Sequence, residues 1–380
     1  MHFAFTDEQE ELRDSARAFL AEHSSGDQVR QAMASELGYD PEVWKRIGSE
    51  LGWPCVIVPE AYGGIGLGAV ELVALMEVMG ESLLCSPFFS TVCLATQTIL
   101  QSGDDAQKAR YLPDIAEGQC RAALAYAEAG GGREPDEIST TATQDAGGYR
   151  LSGCKRFVVD GHSADLLVVA ARAPGSSGEE GISLFVLPAE IEGLSRRALP
   201  TLDQSRRQAE ITLEDVRVDA DARLGEEGAA WPALQRSLDL AAIALAAEQA
   251  GGAQRCLDLS VDYAKERQQF GRPIGSFQAI KHKCADMMVR VESARSAAYY
   301  AGCVAAEPEA GDLERAASLA KSYCSEAYFH CAGESIQIHG GVGFTWEYDP
   351  HLHFKRAQWG KACLGEAAWH RERVARKLGL

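Results

Sequence analysis

The spacing of hydrophobic residues divides the chain into three parts. Up to about residue 120, apolar positions recur every three to four residues, which predicts amphipathic helices over 6–21, 41–51, 69–79, 90–101 and 106–116. From residue 121 the period falls to two, which predicts strands over 122–126, 148–152, 155–159, 165–171, 182–187 and 208–213. The helical period returns after residue 228 and predicts helices over 229–267, 277–306, 313–339 and within 366–378.

This alternation predicts an α+β chain of three domains, with helices in 1–120, strands in 121–227 and a helical bundle in 228–380. The chain has 380 residues, which is enough for a large core in each part. The stretch 241–253 is rich in alanine. Because alanine has a small side chain, we expect a neighbouring helix to approach this stretch closely.

Charge and cysteine content narrow the possible partners. The formal net charge is −18, which argues against nucleic acid and anionic membranes because both attract positive surfaces. The eleven cysteines include no C-x-x-C pair, so we expect reduced thiols in a cytoplasmic protein. The N-terminal segment is acidic where a signal peptide would be basic, and no run of 18 apolar residues is present, so neither a signal peptide nor a membrane span is predicted.

The segment 260–283 contains the strongest local chemistry. Arg267 stands at the end of one predicted helix, Phe270 and the following Gly-Arg-Pro break the helical period, and Gln278 opens the next helix. A guanidinium, a ring and an amide in one region can hold a phosphate and an adenine, because arginine presents a planar fork of donors. The alternative is a simple corner between helices with a solvated arginine, which is favoured near a helix C-terminus in any case.

Three motifs along the chain resemble those of the acyl-CoA dehydrogenase family. They are the residues Glu266, Arg267, Phe270, Gly271, Phe277 and Gln278, the segment 337–347 and the segment 52–64. They occur in the family's order and spacing over almost the whole chain. The resemblance implies the acyl-CoA dehydrogenase fold, with an N-terminal all-α domain, a middle β-barrel or sandwich and a C-terminal four-helix bundle. It also implies a flavoprotein that uses FAD to dehydrogenate an acyl-CoA thioester.

By this resemblance, one group of residues reaches across to the FAD of a neighbouring subunit. The group is Arg267, Phe270, Gln278, Gln337 and Gly341. Phe277 and Gly340 belong to the same motifs and are predicted to bind the cofactor too. All these positions carry the residue types that the family uses.

The residues that would face the chain's own flavin differ from the family pattern. Ala127 and Arg133 replace a Thr and a Ser of the family, and Val159 replaces a Thr that normally bonds to flavin N5. Tyr126, Phe157 and Val159 are still predicted flavin contacts, and Arg133 is a predicted substrate contact. The lost hydroxyl contacts would each have contributed about 1 kcal/mol. Alternatively, the apolar residues only pack in a buried strand, and backbone N–H groups replace the hydroxyls.

The family's catalytic base is missing at both of its usual positions. Removal of the α-proton requires a carboxylate, yet the two aligned residues are Gly365 and Ala241. Glu366 lies one residue late and is the candidate base, although a glutamate at a helix N-terminus is also favoured for structural reasons. Asp239 is a candidate substrate contact, and a helix-surface acid is the alternative explanation for it.

The pattern of replacements favours a subunit of a mixed tetramer that completes the FAD site of a related partner. Resemblance to the heteromeric members of the family implies a bulky acyl-CoA, such as a steroid thioester, as substrate. One alternative is a homotetrameric acyl-CoA dehydrogenase with Glu366 as base. Another is a flavin-dependent oxidase or oxygenase on the same fold. The resemblance also implies an electron-transfer flavoprotein or a similar acceptor. The histidines have no carboxylate at metal-ligand spacing, so no metal is predicted.

Overall fold

The computed structural model describes residues 5–307 and 312–380. Residues 1–4, which begin the segment predicted not to be a signal peptide, lie outside the described residues. The chain forms two compact units that alternate along the sequence. The first unit comprises the chain up to Gln31, Gly68–Leu84 and Ala242–Leu380, and the second comprises Ala32–Leu67 and Cys85–Ala241. The division into domains at residues 120 and 227 therefore stays a prediction.

Eleven α-helices lie within the described residues. They are α1 (Asp7–His23), α2 (Gly26–Ala34), α3 (Pro41–Ser49), α4 (Ala69–Glu81), α5 (Gln97–Ser102), α6 (Asp105–Ala116), α7 (Trp231–Glu266), α8 (Gln278–Ala306), α9 (Leu313–His339), α10 (Pro350–Ala362) and α11 (Ala367–Lys377). The predicted bounds of α9 are confirmed, and Asp312 caps this helix by accepting from Arg315 N–H at 3.1 Å. In the described part of the chain, no helix is both long enough and apolar enough to cross a membrane.

Two helices, α2 and α10, are absent from the sequence prediction. Helix α10 buries His351, His353 and Arg356 together with Leu352 and Trp359, so its buried face has no apolar period to detect. Helix α2 has only nine residues and begins at Gly26. A third difference concerns the predicted helix over 90–101, which is a π-helix over Phe89–Thr96 before it continues as α5.

The first unit is held together by a close helix crossing and by buried ion pairs. A Cβ on Gly251 of α7 would lie 1.8 Å from the carbonyl oxygen of Glu77 in α4, so the two backbones are nearly in contact there. The Glu77 carboxylate accepts from Arg13 at 3.1 Å and from Arg295 at 2.7 Å. The close approach expected for the alanine-rich stretch 241–253 is therefore present, with a glycine at the point of contact.

The second unit contains a sheet of strands β1 to β8. They are β1 (Ala122–Ala125), β2 (Thr141–Asp145), β3 (Gly148–Val159), β4 (Leu166–Arg172), β5 (Ile182–Pro188), β6 (Leu194–Ala198), β7 (Gln208–Asp219) and β8 (Arg223–Leu224). The strand order is β6-β7-β3-β2-β4-β5-β8, and β1 pairs in parallel with β4. A single residue pair, Thr141 with Arg172, joins the two halves of the sheet. Side chains from both halves share one buried apolar core.

The sheet also corrects several strand predictions. The segments predicted as separate strands over 148–152 and 155–159 form one strand, β3, whose pairing with β7 shifts register twice. Strands β2, β6 and β8 were not predicted. The sequence of β6 is Leu-Ser-Arg-Arg-Ala, and most of its residues are exposed at the edge of the sheet, so it has no buried alternation to detect.

Candidate functional site

The segment after α7 forms a β-hairpin and not the simple helix corner that its sequence suggests. Strands β9 (Gln268–Gln269) and β10 (Arg272–Pro273) pair antiparallel. Between them, Phe270 and Gly271 have φ angles of +55° and +74°, as in the two-residue turns that best match the twist of paired strands. A phenylalanine in this left-handed region carries a conformational cost. Its side chain is nonetheless 91% exposed, so burial in its own chain does not explain it.

The hairpin rests against the start of α8 through aromatic contacts. The Phe270 ring meets the Phe277 ring edge to face, with 6.1 Å between the centroids. The Arg272 guanidinium lies over the Phe277 ring, 4.1 Å from its centroid. These contacts fix the position of the hairpin while the outer surface of Phe270 stays open to a ligand or another chain.

The backbone of Arg267 is held by hydrogen bonds, whereas its side chain has no partner among the described residues. Its N–H donates to the Tyr263 carbonyl at 2.8 Å, and its own carbonyl accepts from Ile274 N–H at 2.8 Å. Its guanidinium is exposed and forms no hydrogen bond or ion pair with any residue in 5–307 or 312–380. The side-chain amides of Gln278 and Gln337 are likewise exposed and without a partner among those residues. All three groups are therefore available to a ligand.

Aromatic stacking brings the end of α7 to the end of α9. The Tyr263 ring stacks on the His339 ring with 4.3 Å between centroids, and Tyr348 meets the two rings edge-on at 6.4 and 6.2 Å. Burial lowers the pKa of His339, and its Nδ1 lies 2.7 Å from the Ser335 carbonyl. Because Tyr263 lies one helical turn before Arg267, this stack places the two candidate motifs beside each other.

Gly341 has no packing reason within the described chain to be a glycine. A Cβ at this position would meet nothing within 4 Å, and its φ angle does not lie in the left-handed region. Its neighbour Gly340 has φ +64° and ψ −140°, which favours glycine on conformational grounds. An open backbone at Gly341 fits the close approach of a ligand.

The candidates in the second unit lie around the end of β1 and the end of β3. Ala127 and Val159 are buried, with 6% and 5% exposure, and offer no hydroxyl to a ligand. Tyr126 is half-buried and Arg133 is exposed. Phe157 has a strained backbone, with φ +57°, and it is 49% exposed. Like Phe270, it therefore combines a left-handed backbone with an accessible aromatic ring.

A buried ion pair that the sequence did not reveal organises this region. Lys155 of β3 donates to Glu128 at 2.7 Å, and Glu128 also accepts from the backbone N–H groups of Ser139 and Thr140. Burial opposes ionisation of Glu128, but Lys155 and the other donors outweigh it and lower the pKa to about 2. Burial lowers the pKa of Lys155 to about 8. The pair ties the segment after β1 to β3.

Gly365, predicted from the sequence to occupy the family's base position, is closed to a larger side chain. Its φ angle is +102°, and a Cβ there would lie 2.7 Å from Trp369 Cε3 and 3.2 Å from His370 Nε2. Two buried groups hold the adjacent carbonyls, because Lys321 Nζ donates to Gly365 O at 3.1 Å and His370 Nε2 lies 2.9 Å from Leu364 O. Lys321 lies among apolar residues on the buried face of α9. Its position there could have indicated a buried polar contact, but the sequence prediction did not consider it.

The candidate base Glu366 is exposed, whereas the candidate substrate contact Asp239 is buried. Glu366 is exposed and precedes the first turn of α11 without capping it through its side chain. Ala241, predicted to occupy the second base position, is fully buried in α7. Asp239 is 6% exposed on the same helix. A carboxylate that acts as a base on an acyl chain needs a dry environment, and Glu366 lacks one in this chain.

Three family models match consecutive parts of the sequence. "Acyl-CoA dehydrogenase, N-terminal domain" matches residues 6–119, "Acyl-CoA dehydrogenase, middle domain" matches 123–216 and "Acyl-CoA dehydrogenase, C-terminal domain" matches 228–379. The chain belongs to the acyl-CoA dehydrogenase family. The resemblance carried by the three sequence motifs is thereby confirmed. So are the fold, the cofactor FAD and the class of oxidoreductases that act on the CH–CH bond of an acyl-CoA.

Individual proteins are similar to this chain over almost its whole length. Acyl-CoA dehydrogenase IpdE2 of Mycolicibacterium smegmatis is 33% identical over 95% of each chain. The ChsE4-ChsE5 complex of Mycobacterium tuberculosis matches with a TM-score of 0.89 and 26% identity, over 100% of this chain and 99% of that one. A variant of the Tcur3481-Tcur3483 steroid ACAD matches with a TM-score of 0.86 and 32% identity over 98% of each chain. The FAD complex of PigA matches with a TM-score of 0.92 and 27% identity over the whole of both chains.

Proposed function

We propose that this chain is the FAD-completing subunit of a mixed acyl-CoA dehydrogenase tetramer, and that a related partner subunit supplies the catalytic base. One contrast within the structure carries the proposal. Arg267, Gln278 and Gln337 are exposed and have no side-chain partner among the described residues, whereas the base position is Gly365, packed against Trp369. The chain thus keeps the groups it would give to another subunit's cofactor and lacks the group it would need for its own reaction.

The exposed groups have the chemistry that FAD requires. When bound, FAD accepts the hydride that leaves the acyl chain. Arg267 offers a planar fork of donors to its phosphates. Phe270 offers an exposed ring for stacking, and Gln278 and Gln337 offer amide donors and acceptors. Gly341 leaves its backbone open to close approach.

The family's own-subunit contacts are weaker in this chain. Ala127 and Val159 have no hydroxyl for the flavin ring, and Glu366 is exposed. Restoration of a carboxylate at Gly365 would force its side chain into Trp369 and His370. These replacements remove both the hydroxyl contacts to the flavin ring and the base for the α-proton, while the exposed cofactor motifs are intact. They therefore support the proposal that the chain acts as the partner of a catalytic subunit.

The names of related proteins support a proposal for the substrate class. We propose a bulky acyl-CoA thioester, such as one with a steroid-derived acyl group, because one similar structure is named as a steroid ACAD. The ChsE4-ChsE5 complex supports assembly of two different chains. An electron-transfer flavoprotein is the proposed acceptor, and a structural neighbour named for the electron transferring flavoprotein of Acidaminococcus fermentans supports it.

The decisive experiment compares the chain expressed alone with the chain co-expressed with related acyl-CoA dehydrogenase subunits from neighbouring genes. FAD per subunit and dehydrogenation of acyl-CoA thioesters are measured for each preparation. We expect activity only in the mixed complex. Glu366→Gln should leave that activity nearly unchanged, whereas loss of a true general base would cost about 10²–10⁴ in rate. Turnover by the lone chain that Glu366→Gln abolishes would instead establish the self-sufficient homotetramer. Rapid reoxidation of reduced flavin by oxygen would establish the oxidase alternative.

Arg267→Ala tests the contribution to the partner's cofactor. Loss of a charge-assisted contact of about 1.5–3 kcal/mol should weaken FAD retention in the mixed complex by roughly tenfold or more. Arg267→Lys should recover part of it, because lysine lacks the fork. Lys265→Ala is the matched control, since it removes an exposed positive charge two residues earlier. Equal FAD retention in the Arg267 and Lys265 variants would show that Arg267 is only a helix-end residue.

A further inference from the structure

We propose that Arg30 of α2 is a positioning residue that sets the affinity of the partner's FAD site without touching the cofactor. It acts through the loop between α9 and α10 (residues 340–349), which begins with the two glycines of the cofactor motif. The inference rests on the proposed function, because only a chain that gives this loop to a neighbouring cofactor would use its position in this way.

The contacts of Arg30 define a clamp on the loop. Its Nε donates to the Trp346 carbonyl at 2.6 Å and its Nη2 donates to the Tyr348 carbonyl at 2.9 Å. Its Nη1 donates to Asp349 Oδ1 at 2.8 Å and to the Gly26 carbonyl, one turn earlier in α2, also at 2.8 Å. One guanidinium thus holds three anchor points near the end of the loop and one point in its own helix. Arginine suits this task because its donors lie in one rigid plane.

The residues around the clamp are adapted to it. A Cβ on Gly26 would lie 2.6 Å from Asp349 Oδ1 and 2.9 Å from Arg30 Nη1, so a side chain at this position would push the ion pair apart. Asp349 occupies the position before α10, where an aspartate usually caps the helix through its side chain. Here its carboxylate makes no such cap and pairs with Arg30 instead. The pair is only partly exposed, with 20% and 27% of the two side chains accessible.

The surface of the loop is mostly open. Phe344 is 70% exposed and Trp346 is 54% exposed. Lys355 lies over the Trp346 ring at 4.4 Å, and His351 meets the same ring edge-on at 4.9 Å, so Trp346 is held on one side by α10 and through its carbonyl by Arg30. The Arg30 clamp therefore fixes the end of the loop opposite to Gly340 and Gly341. Loss of the Arg30 side chain should allow the backbone at Gly341 to move away from the ligand.

The test uses the mixed complex with Arg30→Met, Arg30→Lys and Gly26→Ala in this chain, and measures the dissociation constant for FAD and the visible flavin spectrum. We expect Arg30→Met to raise the dissociation constant at least tenfold and to alter the flavin spectrum, with partial recovery in Arg30→Lys. Gly26→Ala should cause an intermediate loss, because it displaces the clamp without removing it. Arg17→Met is the matched control, since Arg17 forms a two-bond pair with Glu81 in the same unit but does not contact the loop.

The outcomes separate this inference from the proposed function. Normal FAD binding in Arg30→Met and Gly26→Ala, together with a loss in Arg267→Ala, would overturn the clamp and leave the proposed function intact. Equal FAD losses in Arg30→Met and Arg17→Met would also overturn it, since they would indicate general destabilisation. Normal FAD binding in Arg267→Ala would refute the proposed function itself, and the clamp with it.

Discussion

The crossing of α4 and α7 gives the sharpest stability prediction. A Cβ on Gly251 would lie 1.8 Å from the carbonyl oxygen of Glu77 and 2.7 Å from its carbonyl carbon. The contact is reciprocal, because a Cβ on Gly80 would lie 2.0 Å from the carbonyl oxygen of Glu248. Gly251→Ala therefore adds a methyl group where backbone atoms of the other helix already stand. Backbone atoms cannot rotate away as a flexible side chain can.

The expected magnitude follows from two opposing terms. Alanine is favoured over glycine in a helix interior by about 1 kcal/mol. Overpacking usually costs about 1–3 kcal/mol, and here the helices must separate by roughly 1 Å, so we expect the upper end of that range or more. Separation would also disturb the buried pairs of Glu77 with Arg13 and of Glu248 with Arg356. The net result should be a loss of at least about 1–2 kcal/mol, or several degrees in melting temperature.

Gly333→Ala is the matched control for this measurement. Gly333 lies inside α9, and a Cβ there would meet only Phe354 Cε2 at an ordinary 3.9 Å. It should therefore be neutral or stabilising by up to about 1 kcal/mol, from helix propensity alone. Thermal unfolding followed by circular dichroism gives both values under one condition. A Gly251→Ala protein at least as stable as the wild type would refute the argument that backbone contact makes glycine necessary at the crossing.

Two further predictions concern buried charges. Lys155→Met leaves the Glu128 carboxylate buried without its cation and should destabilise the second unit by about 3–5 kcal/mol. The double variant Lys155→Met with Glu128→Gln should cost less stability than Lys155→Met alone. Equal unfolding midpoints for the single and double variants would contradict this. Burial and nearby cations lower the pKa of His370 to about 3, so the folded state binds fewer protons than the unfolded state below about pH 6.5. The contribution of neutral His370 to stability should therefore be full above about pH 6.5. Stability should fall as the pH drops towards 3, by up to about 1.4 kcal/mol per pH unit. His370→Gln should flatten the dependence of melting temperature on pH between 6.5 and 4. Identical pH profiles for this variant and the wild type would show that His370 is not buried in its neutral form.

Much of the architecture was readable from local signals in the sequence. The period of apolar residues predicted α9 to the residue, because Asp312 caps its start and Gly340 ends it. The motif around Arg267 and Phe270 identified the family because residue type and spacing are preserved along the chain. These signals depend on neighbours within one or two helical turns, which a sequence shows directly.

The contacts that decide the chemistry depended on the tertiary structure. Arg30 holds a loop more than 300 residues further along the chain, from a helix that the sequence did not predict. The closure of Gly365 depends on Trp369 and on the left-handed backbone of the loop, and neither is visible from the residue type alone. Sequence patterns report local propensity and the side of an element that is buried. The partners of a buried charge, and the space around a glycine, are set by packing between segments distant in sequence, and so they become visible only once the chain is folded.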